Sequence, residues 1–82
     1  MNMYEIHVPH FYCMEYSEGE YTMDIEIDFR EDYFLLNKTL ITHWKKPYDN
    51  EMISDEKKVE ILKNIYEYLL MKTVPSHIRL EI

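Results

Sequence analysis

Apolar and polar side chains alternate most regularly over residues 21–30. Apolar residues occupy the odd positions from Tyr21 to Phe29, and polar residues occupy the even positions from Thr22 to Arg30. A period of two is typical of a strand with one buried face and cannot be placed on one face of a helix. Shorter alternating runs predict strands over residues 3–8 and 77–82, and extended patterns that are apolar on both faces predict strands of undecided register over residues 10–16 and 33–43. The segment 33–43 forms either one strand or a short hairpin around Asn37 and Lys38.

The spacing changes after residue 53, where the pattern predicts a helix from Ser54 to about Lys72. Ser54 is a suitable N-cap, and the two acidic residues after it would stabilise the helix because their negative charge lies at the positive end of the helix dipole. Apolar residues then recur at intervals of three and four, which is the period of a buried helix face. The predicted buried positions are Val59, Leu62, Ile65, Tyr66 and Leu69.

The order of the predicted elements is β-β-β-β-α-β, which is typical of an α+β fold. We expect a single domain over residues 1–82, with an antiparallel sheet of four to five strands and one long helix packed on one of its faces. The other face is then open to water or to a partner. The first or last strand lies at a sheet edge, where pairing with a second copy would give a homodimer.

The charge of the chain is −7, and it is concentrated in the first half. Residues 1–36 hold nine acidic residues and one basic residue, whereas residues 37–82 hold seven acidic and eight basic residues. Phosphates are repelled by a domain of this charge, so we expect no direct binding of nucleic acid or anionic membrane. The single cysteine and the lack of a secretory signal pattern predict a cytoplasmic location.

No spacing in the chain is typical of a catalytic or cofactor-binding motif. The four histidines are scattered and match no zinc-binding pattern, and the single glycine excludes the glycine-rich loops that bind phosphates. The sequence therefore predicts no metal, no cofactor and no enzymatic activity. A small enzyme or ligand carrier that uses the tyrosine and histidine side chains is the least favoured alternative.

Two groups of residues are candidates for binding a partner. Asp24, Glu26 and Asp28 share one face of the predicted strand at steps of about 6.6 Å, and they form either a solvated surface or a docking site for a basic protein. Trp44 and Tyr48 lie in the loop before the helix. Trp44 either covers the core or serves as an exposed anchor, because Trp and Tyr are frequent binding hot spots.

The segment from Trp44 to Leu69 combines a Trp-x-x-Pro loop, an Ile-Ser pair before a helix, and the core of that helix. These read Trp44-Lys45-Lys46-Pro47, Ile53-Ser54-Asp55-Glu56-Lys57-Lys58 and Ile61-Leu62-Lys63-Asn64-Ile65. In these motifs the segment resembles immunity protein family seventy-four of bacterial polymorphic toxin systems. The resemblance implies a small α+β domain that binds and neutralises a toxin delivered by a neighbouring cell.

The working hypothesis is a non-catalytic inhibitor that binds a basic toxin or nuclease-type enzyme through its acidic strand face and the Trp44 loop. Inhibitors of such enzymes are acidic because the substrate cleft of the target is positive. A phage-encoded anti-defence inhibitor of a nucleic-acid-handling complex, similar to an anti-CRISPR protein, has the same properties and stays the alternative.

Overall fold

The first three strands form one antiparallel sheet in the computed structural model, which describes residues 3–82. They are β1 (Glu5–His10), β2 (Cys13–Glu18) and β3 (Tyr21–Glu26), in the order β1-β2-β3. The β2–β3 turn contains Gly19, whose φ of 59° lies in the left-handed region that glycine adopts without a steric penalty. A hairpin follows from this turn, as the sequence predicts.

The remaining elements form a strand–helix–strand unit. It consists of β4 (Phe34–Asn37), a 3₁₀ turn (Lys38–Leu40), α1 (Asp55–Leu70), a second 3₁₀ turn (Pro75–His77) and β5 (Ile78–Glu81). The α+β class and the order β-β-β-β-α-β are confirmed.

The arrangement of the sheets differs from the expected single antiparallel sheet. β4 and β5 form a separate two-stranded sheet, and they run parallel. Parallel strands need a long crossover connection, and the segment that contains α1 supplies it. Alternation along a strand reports which face is buried but not which strand is its neighbour, so the pattern could not show this division.

The core lies where the apolar faces of the two sheets meet α1. Met14, Tyr16, Met23 and Ile25 are fully buried on the inner face of the three-stranded sheet. The helix buries Ile61, Leu62, Ile65 and Leu69. Three of these four were predicted, whereas Val59 and Tyr66 are only half-buried and Ile61 takes their place.

Local signals define the start of α1. The Ser54 side chain accepts a hydrogen bond from the Lys57 N–H at 3.1 Å, and Asp55 and Glu56 occupy the first turn. This confirms the predicted N-cap. None of the helices described over residues 3–82 has the length and apolar character needed to cross a membrane.

Candidate functional site: an acidic sheet face

The outer face of the three-stranded sheet is the side that points away from the core, and it is rich in carboxylates. The strand register places His7 opposite Glu15 and Glu15 opposite Asp24, so one row of polar side chains crosses all three strands. Neighbours in such a row are about 5 Å apart and interact directly. The outer face consists of Glu5, His7, Cys13, Glu15, Ser17, Thr22, Asp24 and Glu26.

Lys45 provides a positive charge at the end of this row. Its Nζ lies 3.1 Å from Glu15 Oε2 and 3.1 Å from Asp24 Oδ1. The Lys45 N–H also donates to the Thr22 carbonyl at 2.8 Å, which fixes the loop against the edge of β3. The hydrogen bonds that Lys45 donates to Asp24 and Glu15 raise its pKa above the usual value. No local sequence pattern predicts this contact, because Lys45 is 30 residues from Glu15.

Asp28 lies beyond the end of β3, so of the three carboxylates in the predicted row only Asp24 and Glu26 lie on the strand itself. β3 ends at Glu26, and Asp28 lies in the following turn. There its carboxylate accepts hydrogen bonds from Arg30 Nε at 3.0 Å and Arg30 Nη2 at 2.9 Å. These bonds hold the pKa of Asp28 below its usual value. The alternation continues past Glu26, where the paired register with β2 ends, although the Ile27 and Phe29 N–H groups still donate to the Tyr12 and Phe11 carbonyls.

Trp44 is a core residue, which excludes its role as an exposed anchor. Its side chain is 6% exposed, and its ring meets Tyr21 edge-on with centroids 5.2 Å apart. Tyr48 is half-buried and stacks on the other side of Tyr21 at 4.0 Å, while its hydroxyl donates to Glu20 at 2.9 Å. The three rings therefore support the loop that carries Lys45. Of the predicted binding residues, the structure brings Asp24 and Glu26 together on the acidic face, with Tyr48 at its border.

A series of hydrogen bonds on the inner side of the sheet links the sheet to α1. No sequence pattern within one element predicts these bonds. The buried Tyr16 hydroxyl accepts a hydrogen bond from Asn64 Nδ2 at 2.9 Å and donates to Glu18. Glu18 in turn binds Lys57. Burial and the hydrogen bond to Glu18 raise the pKa of Tyr16. Asn64 is half-buried beside Ile61 and Ile65, and its position next to two core residues is the one signal of this site in the sequence.

The acidic groups of this surface do not form a metal centre. Within residues 3–82, no three His, Cys, Asp or Glu side chains are placed to hold a metal ion together. What the acidic face offers is an open, charged surface held on three strands. None of the family models, curated proteins or solved structures compared with the chain matches it.

Proposed function

We propose that the chain is a non-catalytic binding protein that neutralises a basic protein, in the way that an immunity protein neutralises its toxin. The observation that carries this proposal is the charge of the outer face. Among residues 3–82 it presents four carboxylates, those of Glu5, Glu15, Asp24 and Glu26, against the ammonium of Lys45. Such a surface attracts a positively charged partner and repels a negatively charged one.

The rigidity of the sheet supports a docking role. Backbone pairing holds the carboxylates of β2 and β3 in register, so little side-chain and loop ordering is required when a partner binds. The Trp44–Tyr21–Tyr48 stack fixes the loop beside them. The resemblance to toxin-neutralising immunity proteins falls on this loop and on α1, which supports the sheet from its inner side.

The size of the face limits what it can do alone. Three strands of six residues cover a plane of about 300 Å², from a spacing of about 4.8 Å and a rise of about 3.4 Å per residue. A standard protein interface needs about 800 Å² on each partner. The acidic face is therefore the steering part of a larger interface, and the partner also covers surface next to it.

The direct test is protection of cells. The gene next to the one that encodes this chain is the first source of a candidate toxin, and the two proteins are expressed together and apart. We expect the toxin alone to stop growth, and growth to recover when the chain is present and co-purifies with the toxin. Growth arrest that the chain does not relieve, or a toxin that does not co-purify with it, contradicts the proposal.

A pair of variants tests the acidic face itself. Glu5→Gln with Glu26→Gln removes two exposed charges from the outer face, and Glu56→Gln with Glu67→Gln removes two exposed charges from α1 as a matched control. We expect the first pair to slow association with the toxin about threefold to tenfold at low salt, since rim charges act on the association rate. The difference should vanish at high salt. Equal effects of both pairs would exclude a steering role for the outer face.

A further inference from the structure

A groove of about 380 Å³ lies at one end of the domain, where β1 ends, α1 ends and the chain passes from β3 to β4. Its apolar surface comes from Val8, Phe29, Phe34 and Tyr68, and the rings of Phe29 and Phe34 pack with centroids 5.8 Å apart. The volume is near the lower end of the range of about 300–1,000 Å³ that ligand pockets occupy. The groove therefore suits one or two side chains of a partner.

The two rims of the groove differ in the side chains that they carry and in whether their charged groups have partners. On one rim, the Lys72 ammonium lies 5.4 Å from the centre of the Tyr68 ring, and Thr73 Oγ1 lies 3.2 Å from His77 Nδ1. On the other rim, Glu31 and Asp32 are exposed. Within residues 3–82 these two carboxylates form no ion pair with a lysine, arginine or histidine. In the part of the chain that the structure describes, the acidic rim is thus free of ion pairs, and the nearest cation to it along the chain, Arg30, is bound to Asp28.

The adjoining turn shows how this end of the domain binds a guanidinium group. Arg30 forms two hydrogen bonds with the Asp28 carboxylate, and its guanidinium carbon lies 4.4 Å from the centre of the Tyr12 ring. A carboxylate and a tyrosine therefore bind one arginine together. The carboxylate accepts two N–H groups of the guanidinium, and the tyrosine ring contacts its flat face. Glu31, Asp32 and the 51% exposed Tyr33 offer the same two kinds of group without an arginine.

Exposed aromatic surface continues from the groove. Phe11 is 63% exposed, and its carbonyl accepts a hydrogen bond from the Phe29 N–H at 2.7 Å, so its backbone adjoins the groove. Tyr12 follows it, is 51% exposed and carries the Arg30 guanidinium over its ring. Aromatic side chains next to a concave site are typical of the residues that dominate binding energy in protein interfaces. They also add area of the kind that the acidic face lacks.

We propose that this groove binds a segment of the basic partner in which an arginine stands next to a leucine or phenylalanine. The apolar side chain enters the groove, and the arginine pairs with Glu31 or Asp32 and lies on Tyr33. This inference rests on the proposed function for the identity of the partner. It adds a second contact beside the acidic sheet face and names the groups that form it.

Two blocked tetrapeptides test the groove without the toxin. The probe has the sequence leucine-arginine-phenylalanine-arginine, and the control has glutamate in place of both arginines. In ¹⁵N NMR titrations we expect the probe to shift the amide signals of residues 29–34 and 68–77 saturably at concentrations up to about 10 mM, the range in which weak contacts of this size bind. Glu31→Gln with Asp32→Asn should weaken binding about tenfold, the effect of losing one charge-assisted contact.

Several results would overturn the inference. They are the absence of saturable shifts, shifts confined to the outer face of the sheet, or equal binding of the glutamate control. Glu56→Gln with Glu67→Gln removes two exposed charges from α1 and is the matched control variant, and it should bind the probe as the unmodified chain does.

The toxin then separates this inference from the proposed function. A toxin that is neutralised equally well by the Glu31→Gln and Asp32→Asn double variant overturns the groove contact and leaves the proposed function standing. Probe binding in the groove by a chain that protects against no toxin leaves the groove as a peptide site and overturns the proposed function.

Discussion

Replacing Tyr16 with phenylalanine is the sharpest test of how the sheet and α1 are joined. Tyr16 is fully buried, and its hydroxyl accepts from Asn64 Nδ2 at 2.9 Å while it donates to Glu18. The variant keeps the ring, which stacks on Tyr4 at 5.8 Å, so the change removes two hydrogen bonds with little loss of apolar contact. The partner groups on Asn64 and Glu18 stay partly buried without it.

The magnitude follows from those two bonds. A neutral hydrogen bond contributes about 1 kcal/mol and one to a charged group about 1.5–3 kcal/mol. Glu18 keeps Lys57 as a partner, so the loss of its bond to Tyr16 should cost a free energy at the lower end of the range for charged groups. We expect Tyr16→Phe to lower the free energy of unfolding by about 2 kcal/mol, out of the roughly 5–15 kcal/mol that holds a typical domain folded.

Urea unfolding measures this change as a lower midpoint at an unchanged m-value. Tyr33→Phe is the matched control, because the Tyr33 ring is 51% exposed and the change should leave the midpoint unaltered. A Tyr16→Phe variant as stable as the unmodified chain would refute the assigned role of this hydroxyl.

The stability that Tyr16 contributes should fall at alkaline pH. Burial raises the pKa of Tyr16 above its ordinary value of 10.0, so the folded state keeps the proton after the unfolded state has lost it. The stability that Tyr16 contributes is then fully present below pH 10.0 and falls as the pH rises above it. The difference in unfolding free energy between the unmodified chain and Tyr16→Phe should therefore narrow in alkaline solution. A difference that stays constant or widens would contradict the assigned cause.

Three further predictions concern the loop, the cap and the turn. Trp44→Ala should destabilise the fold by about 3–5 kcal/mol because a buried aromatic side chain is lost, and Trp44→Phe should destabilise it less. Thermal unfolding followed by circular dichroism measures both changes. A small loss of stability in Trp44→Ala would argue against the burial of Trp44. Ser54→Ala should cost about 1 kcal/mol in urea unfolding through loss of the bond to the Lys57 N–H, and Ser54→Asp should restore it; equal losses in both variants would exclude capping. Asp28 should titrate below its ordinary pKa in carboxyl NMR spectra and return toward that value in Arg30→Met, while an unaltered titration would show that Arg30 is not the cause.

The helix was largely predictable because its signals are local. A cap at Ser54, acidic residues in the first turn and apolar residues at intervals of three and four all act within a few residues of the chain. The hairpin at Gly19 is local in the same sense, since a positive φ at a short turn favours glycine. The core residues of β3 followed from alternation alone.

The candidate site was predictable only in part, because its geometry depends on contacts between distant segments. Asp24 and Glu26 were correctly placed on one exposed strand face. The end of β3, the burial of Trp44 and the position of Lys45 beside Glu15 depend on how separate segments pack. No pattern within one element contains that information.

By itself, the sequence determined the α+β class, the order of the elements, the start of α1 and the side of β3 that faces water. Only the tertiary structure decided that β4 and β5 form their own parallel sheet, that Lys45 binds Glu15 and Asp24, and that a groove opens beside Glu31 and Asp32. Periodicity is set by the geometry of a single element, whereas sheet pairing, ion pairs and grooves arise where elements distant in the sequence come into contact.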